Sequence, residues 1–155
     1  LRTVYMITKT AEEKVRKFYK IVGGMQSEKK KELTILVMKK ENIGDVAALA
    51  PNSNLVTVID LQKETDAEEV IGQLADAMRA GRVALIRLYK YLDPKIYNQL
   101  YLLAQDGHME YPHLEERVFV DAVKDARVII VSTDAELEEL NYSNIFDLAG
   151  VVERI

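Results

Sequence analysis

Short unbroken apolar runs alternate along the chain with segments whose apolar residues recur at helical spacing. Four runs rich in Val, Ile and Leu are typical of strands that are buried on both faces of a parallel sheet. These runs are "LTILVM" (33–38), "LVTVIDL" (55–61), "VALIRL" (83–88) and "RVIIVST" (127–133). The closing "GVVERI" indicates a fifth strand.

The segments between these runs predict helices. The first covers 10–22, and another covers 66–80 and is followed by Gly81 in the C′ position. Asp93-Pro94 supplies an N-cap and a first-turn proline for the next helix, which Gly107 ends. Shorter helices are predicted within "NIGDVAALA" and "AELEEL".

The stretch "HMEYPHLEERVFVDAVKDA" is the least regular part of the pattern. It predicts a loop or short hairpin, followed by a helix that ends near Ala126. His108 and His113 lie in it, and their spacing does not match a helical metal-binding pair, so solvated loop histidines are favoured over metal ligands.

Continuous apolar strands separated by amphipathic helices predict an α/β fold. We expect a three-layer αβα arrangement with a mostly parallel sheet of about five strands. The chain has 155 residues, of which 48% are hydrophobic, enough for one well-packed domain.

Composition narrows the classes of function. A formal net charge of -4 argues against a nucleic-acid partner, because phosphate binding usually requires a basic surplus. No apolar run approaches the roughly 20 residues that a membrane-spanning helix needs. The absence of Cys excludes disulfides and thiolate metal sites, and it suits a reducing compartment, so we expect a cytoplasmic protein.

Three consecutive segments carry a family resemblance: "VTVIDLQKETDAEEVIGQ" (56–73), "LADAMRAGRVALIRLYKYLDPKIYNQLYLLAQDGHMEYP" (74–112) and "ARVIIVSTDAEL" (126–137). In order and spacing they resemble the core of the AAA+ ATPases, especially the branch with midasin and the MoxR-type proteins. The resemblance places "LTILVM" on the P-loop strand, "VALIRL" on the Walker B strand and "RVIIVST" on the sensor-1 strand. It implies one P-loop-NTPase-like domain over 1–155, without the helical lid.

The P-loop of this family departs from its working form. A phosphate-binding loop needs G-x-x-x-x-G-K-[ST], whose backbone N–H groups, Lys and hydroxyl hold the triphosphate and Mg²⁺. The corresponding "MKKENIGDVAALA" keeps one glycine, Gly44, with Asp45 beside it and no Lys following. An acid in this position repels phosphate.

The Walker B and sensor-1 positions also depart from the family. The carboxylate pair that would hold Mg²⁺ and polarise water falls on Arg87 and Leu88. Sensor 1 falls on Asp134 or Thr133, and Arg154 is a candidate arginine finger by position only. The resemblance therefore implies a domain that does not hydrolyse ATP, with neither ATP nor Mg²⁺ expected as cofactor. A structural role for Arg87, paired with a neighbouring acid, is favoured over ligand binding.

Three functions stay open from the sequence. The first is a catalytically inactive AAA+-like module for assembly or partner binding, with a protein or neighbouring AAA+-like subunits as partner. The second is a nucleotide or other anion site that uses Lys39, Lys40, Gly44, Arg87 and Asp134, with weak or no hydrolysis. The third is an unrelated flavodoxin-like domain.

Tyrosines supply a candidate interface. Tyr97 and Tyr101 are four residues apart on the predicted helix after Asp93, so they share a face, and with Arg154 they are candidate interface residues. The alternative, which the pattern favours, is that the tyrosines cover the rim of the sheet as part of the core.

Overall fold

Five parallel strands form the central sheet of this chain, for which a computed structural model describes residues 33–43, 55–62, 66–113, 116–123 and 126–154. The strands, numbered along the chain, are β1 (Leu33–Val37), β2 (Val56–Asp60), β3 (Val83–Arg87), β4 (His108–His113), β5 (Glu116–Asp121), β6 (Arg127–Ser132) and β7 (Ala149–Arg154). The sheet has the order β2-β3-β6-β1-β7, and each neighbouring pair is parallel. The predicted α/β fold class is confirmed.

The inner strands are buried on both faces, as their unbroken apolar sequences predict. Ile35 and Leu36 point to opposite faces of β1, and both are 0% exposed. The same holds for Leu85 and Ile86 of β3 and for Ile129 and Ile130 of β6. Both surfaces of the sheet are therefore covered, which is the condition for a three-layer domain.

The described helices are α1 (Lys40–Ile43), α2 (Ala67–Arg79), α3 (Pro94–Asp106) and α4 (Asp134–Glu139), with a 3-10 turn over Ile145–Leu148. Capping residues stabilise termini of the two long helices, α2 and α3. The Asp66 carboxylate accepts a hydrogen bond from the Glu68 amide at the start of α2, and Asp93 accepts one from Lys95 at the start of α3. Gly107 ends α3 with a φ of 72°, a conformation that favours glycine. The helix predicted over 10–22 lies outside the described residues.

A hairpin of β4 and β5 replaces the helix that the sequence predicts before Ala126. The two strands are antiparallel, and Met109 lies opposite Val120. Both of these residues are buried, whereas Phe119, the neighbour of Val120, is 63% exposed. This alternation has the period of a strand, so the prediction of a helix there was wrong. His108 and His113 therefore lie on strands and not in a loop.

The hairpin packs closely against α2 at a glycine. A Cβ atom added to Gly72 would lie 3.3 Å from the Tyr111 hydroxyl oxygen, closer than an ordinary van der Waals contact. A glycine in the middle of a helix costs stability, and here the missing side chain gives Tyr111 its place. Gly72 thus fixes how closely the hairpin approaches the helix.

The strand order decides between two kinds of doubly wound fold. With the five strands numbered consecutively, the order is 2-3-4-1-5. Flavodoxin-like sheets have the order 2-1-3-4-5. The flavodoxin-like alternative is therefore wrong. None of the helices in the described ranges is long and apolar enough to cross a membrane.

Candidate functional site

The carboxyl ends of the parallel strands form the edge where this type of sheet binds ligands. The chain leaves β1 towards β2 on one side of the sheet, while β6 leads to β7 on the other side of β1. Such a change of direction opens a crevice beyond the strand ends. Lys39 and Lys40 follow β1 at this edge, and both are exposed. Gly44, the third residue predicted there, lies outside the described residues.

Arg87 is the last residue of β3 and lies next to Asp60 of β2 and Val131 of β6 in the register of the sheet. Its Nη1 atom donates to Oε1 of Glu136 at 2.8 Å, and its Nη2 atom donates to Oε2 at 3.2 Å. This is the two-pronged arrangement that guanidinium groups form with carboxylates. The predicted pairing of Arg87 with a neighbouring acid is confirmed, and the acid is Glu136.

Further contacts fix the Arg87 guanidinium in place. Nη1 also donates to the carbonyl oxygen of Leu88, and the guanidinium carbon lies 4.1 Å from the centre of the Tyr89 ring. Arg87 is only 8% exposed. Its charge is thus held at the rim of the sheet by a carboxylate, a carbonyl and an aromatic face.

Glu136 is held from a second side by the start of α4. The Thr133 hydroxyl donates to Oε1 of Glu136 at 2.8 Å, the Thr133 amide lies 3.3 Å from the same oxygen, and the Glu136 amide donates to the Thr133 hydroxyl. This reciprocal arrangement is a capping box. The sequence pattern Thr-x-x-Glu before a short helix is its signal, which the prediction of a helix within "AELEEL" did not include.

Two other acids of α4, Asp134 and Glu139, pair with cations along the same edge. Asp134 accepts a hydrogen bond from Arg154 at the end of β7, and Glu139 lies 2.9 Å from the Lys90 ammonium. The hydrogen bond that Lys90 donates to Glu139 raises the pKa of Lys90 above its usual range. Two predicted site residues, Asp134 and Arg154, are thereby brought together, and α4 forms ion pairs with β3, the segment after β3, and β7.

Leu88 and Ser132 complete the junction between β3 and β6. The Leu88 side chain is buried, and its carbonyl oxygen accepts a hydrogen bond from the Ser132 hydroxyl at 2.9 Å. The Leu88 amide donates to the carbonyl of Val131. At the position where the resemblance expects a catalytic carboxylate, the chain therefore has an apolar side chain packed into the core.

Asp60 contacts Tyr89 at the same edge. Burial raises the pKa of the Tyr89 phenol, and a hydrogen bond with the Asp60 carboxylate raises it further. The tyrosine thus stays protonated at neutral pH and can donate to Asp60.

An open cleft of about 310 Å³ lies beside these groups. It is lined mostly by apolar atoms, and its residues are Leu61, Gln62, Tyr89, Lys90, Tyr91 and Glu136. Glu136 therefore pairs with the Arg87 guanidinium and also lines an accessible volume.

The two candidate interface tyrosines have different environments. Tyr97 is 8% exposed and stacks on Tyr142, with ring centres 3.9 Å apart and an angle of 1° between the rings. Tyr97 therefore belongs to the core, which corrects its proposed place in an interface. Tyr101 is 47% exposed and can contact a partner.

Within the described ranges, His108 packs against an aromatic ring of the hairpin. The His108 ring lies edge-on to Phe119, with centres 5.7 Å apart. Across those ranges there is no group of three or more His, Cys, Asp or Glu side chains placed to bind a metal ion.

Comparison with known proteins identifies the fold and leaves the family open. No protein-family model and no curated protein matches the chain. Two variants of RuvB from Thermotoga maritima superpose with a TM-score of 0.51 at 13% and 14% identity, covering 94% and 92% of this chain and 46% and 45% of theirs. NtrX from Brucella abortus, solved in complex with ADP, superposes with a TM-score of 0.54 at 15% identity, covering 96% of this chain and 36% of its own. The chain thus has an AAA+-like P-loop NTPase fold and spans less than half the length of these neighbours.

Proposed function

We propose that this chain is a catalytically inactive AAA+-like domain, degenerate in its Walker motifs and related to the midasin and MoxR branch, that serves as a structural, assembly or partner-binding module. The observation that carries the proposal is the side chain at the end of β3. A P-loop ATPase needs a carboxylate there to hold Mg²⁺, and a second one to polarise the attacking water. This chain has Arg87 and Leu88, a fixed cation and a buried hydrocarbon.

The acids near this position are engaged with other groups. Glu136 is bound to Arg87 and Thr133, Asp134 to Arg154, and Glu139 to Lys90. The Asp60 carboxylate acts on the Tyr89 phenol and raises its pKa. Binding a metal ion through any of these described carboxylates would require that an existing partner be displaced, and Arg87 would repel the ion from within the same site.

Phosphate release tests the catalytic half of the proposal. With Mg-ATP in excess, wild-type chain and an Arg87→Gln variant should both release phosphate at the rate of the buffer blank. Turnover by the wild-type chain that is lost in Arg87→Gln would contradict the proposal, because Arg87 would then take part in hydrolysis.

Sedimentation tests the assembly half. Tyr101 is an interface candidate that remains at the surface, so the chain should sediment above its monomer mass of 17.6 kDa as concentration rises. Tyr101→Ser should shift the equilibrium towards monomer, whereas Tyr91→Ser, which removes a similarly exposed tyrosine elsewhere, should not. A strict monomer at every concentration would count against self-assembly.

A second candidate function is supported by the two lysines after β1. Lys39 and Lys40 are exposed at the carboxyl edge, and NtrX, a neighbour in fold, was solved with ADP. An anionic ligand bound there without Mg²⁺ would satisfy both observations. A rise in melting temperature with ADP that is lost in Lys39→Ala/Lys40→Ala would favour this function over the first.

A further inference from the structure

The carboxylate of Glu136 lies among donors arranged as in an oxyanion-binding site. Arg87 approaches it with two N–H groups at 2.8 and 3.2 Å, and the Thr133 hydroxyl and amide approach at 2.8 and 3.3 Å. A guanidinium fork with added hydroxyl and amide donors matches the geometry of carboxylate and phosphate groups. In this structure the anion is the chain's own side chain.

The main donor keeps its position through contacts that do not involve Glu136. Nη1 of Arg87 donates to the Leu88 carbonyl, and the Tyr89 ring lies against the guanidinium at 4.1 Å. Because Arg87 is buried and fixed in this way, withdrawal of Glu136 would leave an oriented cation without its anion. Such a preorganised donor favours the binding of a replacement anion.

The site also has an approach and a second cation. Glu136 lines the cleft of about 310 Å³, and Lys90 lines it as well. Lys90 is paired with Glu139 of the same short helix, at 2.9 Å. A displacement of α4 would therefore release Arg87 and Lys90 together, next to a volume that a small anion can enter.

We propose that Glu136 is the internal ligand of an oxyanion site, and that Arg87, Thr133 and Lys90 bind a carboxylate or phosphate group when that side chain is withdrawn. With Glu136 in place the site is closed, because an intramolecular carboxylate competes at a high effective concentration. This inference is separable from the proposed function, which concerns the chain with Glu136 in position.

Chemical rescue of a Glu136→Ala variant tests the inference. The variant should melt below wild type and regain stability when formate, phosphate or pyrophosphate is added at constant ionic strength. The rise in the melting temperature of Glu136→Ala should saturate with anion concentration. At an anion concentration of about 100 times its Kd, the rise should be about 5 °C or more. Glu138→Ala is an exposed control on the same helix. The melting temperatures of this variant and of the wild type should rise no more with these anions than with the same ionic strength of chloride.

The anions distinguish the chemistry of the ligand. Rescue by formate alone identifies a carboxylate, whereas stronger rescue by pyrophosphate identifies a phosphate group that also uses Lys90. In the second case Lys90→Gln in the Glu136→Ala background should weaken the effect of pyrophosphate and leave that of formate unchanged. Either pattern supports an oxyanion site.

Three results would overturn the inference. The first is a Glu136→Ala variant with the same melting temperature as wild type, and the second is an equal anion-induced rise in the melting temperature of Glu138→Ala.

The third result comes from a variant that is used if Glu136→Ala does not fold. Glu136→Gln keeps an acceptor for Thr133, and anion binding to it is measured by calorimetry. Pyrophosphate should then bind this variant at least tenfold more tightly than wild type, and equal affinity would overturn the proposal.

Discussion

Arg87 and Glu136, separated by 49 residues in the sequence, form a two-pronged ion pair at the carboxyl end of β3. Their side chains are 10% and 15% exposed, so water has limited access to either charge. Each is the opposite charge that the other contacts at this edge, and neutral groups complete both environments. The pair occupies the carboxyl edge of the sheet, and it also ties α4 to the end of β3.

Breaking this pair on one side should be costly. Glu136→Leu leaves the Arg87 cation buried without an anion, and we expect the free energy of unfolding in urea to fall by about 3 kcal/mol. The Arg87→Met/Glu136→Leu double variant has neither charge of the pair. Its free energy of unfolding should therefore fall by less than that of Glu136→Leu alone.

A matched control lies on the same helix. Glu138 is exposed, and Glu138→Leu should change the free energy of unfolding by no more than about 0.5 kcal/mol. If the losses of the Arg87→Met and Glu136→Leu single variants simply add up in the double variant, the two residues are not coupled, and this account of the pair is wrong.

The contact of Gly72 with Tyr111 predicts the effect of a larger residue in α2. A side chain at position 72 must enter space that the Tyr111 hydroxyl now occupies, so Gly72→Leu should destabilise the chain by about 1–3 kcal/mol. Adding Tyr111→Ala should restore part of that loss, because the ring no longer competes for the space. Chemical unfolding of the two single variants and the double variant measures this coupling, and full additivity would contradict it.

Truncation of the two tyrosines of α3 should lower the free energy of unfolding by very different amounts. Tyr97→Ala removes a buried ring that stacks on Tyr142, and we expect a loss of about 3–5 kcal/mol in the free energy of unfolding. Tyr101→Ala removes an exposed ring and should cost less than about 1 kcal/mol. Similar losses for the two variants would mean that the assignment of only Tyr97 to the core is incorrect.

The pKa of Tyr89 predicts a contribution to stability that is lost at high pH. Burial and the Asp60 carboxylate raise this pKa above 10, the usual value for tyrosine. A group whose pKa is raised by folding contributes fully below its unfolded pKa, and the contribution falls as pH rises through the folded value. Comparing the phenolate absorbance of wild type and Tyr89→Phe isolates the Tyr89 titration, which should lie above pH 10.

Asp60→Asn supplies the control for that titration. Removing the carboxylate leaves burial as the remaining large cause, so the pKa of Tyr89 should move down towards 10. A Tyr89 titration at or below pH 10 in wild type would contradict the contact with Asp60.

The strands could be predicted from the sequence because strands that are buried on both faces have unbroken apolar sequences. "VALIRL" and "RVIIVST" are typical of buried strands. Asp93 and Gly107 mark the two ends of α3 by their residue types alone. The hairpin around Phe119 was predicted less well, since "RVFVDAVKDA" has apolar spacing that fits a helix as well as a strand. Packing of Met109 and Val120 against the helices decides it, and that is a tertiary effect.

The site was only partly predictable for the same reason. The position of Arg87 at a strand end follows from the apolar run before it, but its partner is 49 residues away. Nothing in the local sequence of either residue specifies that pairing. The burial of Tyr97 likewise depends on a distant residue, Tyr142, on which its ring stacks.

A calorimetric titration of the wild-type chain with Mg-ATP tests most directly whether this crevice has lost its hold on a metal-bound triphosphate. The account predicts no saturable heat up to millimolar nucleotide, because Arg87, at the strand end where the proposed alignment puts the metal ligand, is a cation bound to Glu136. Saturable binding at micromolar nucleotide that requires Mg²⁺ would contradict it.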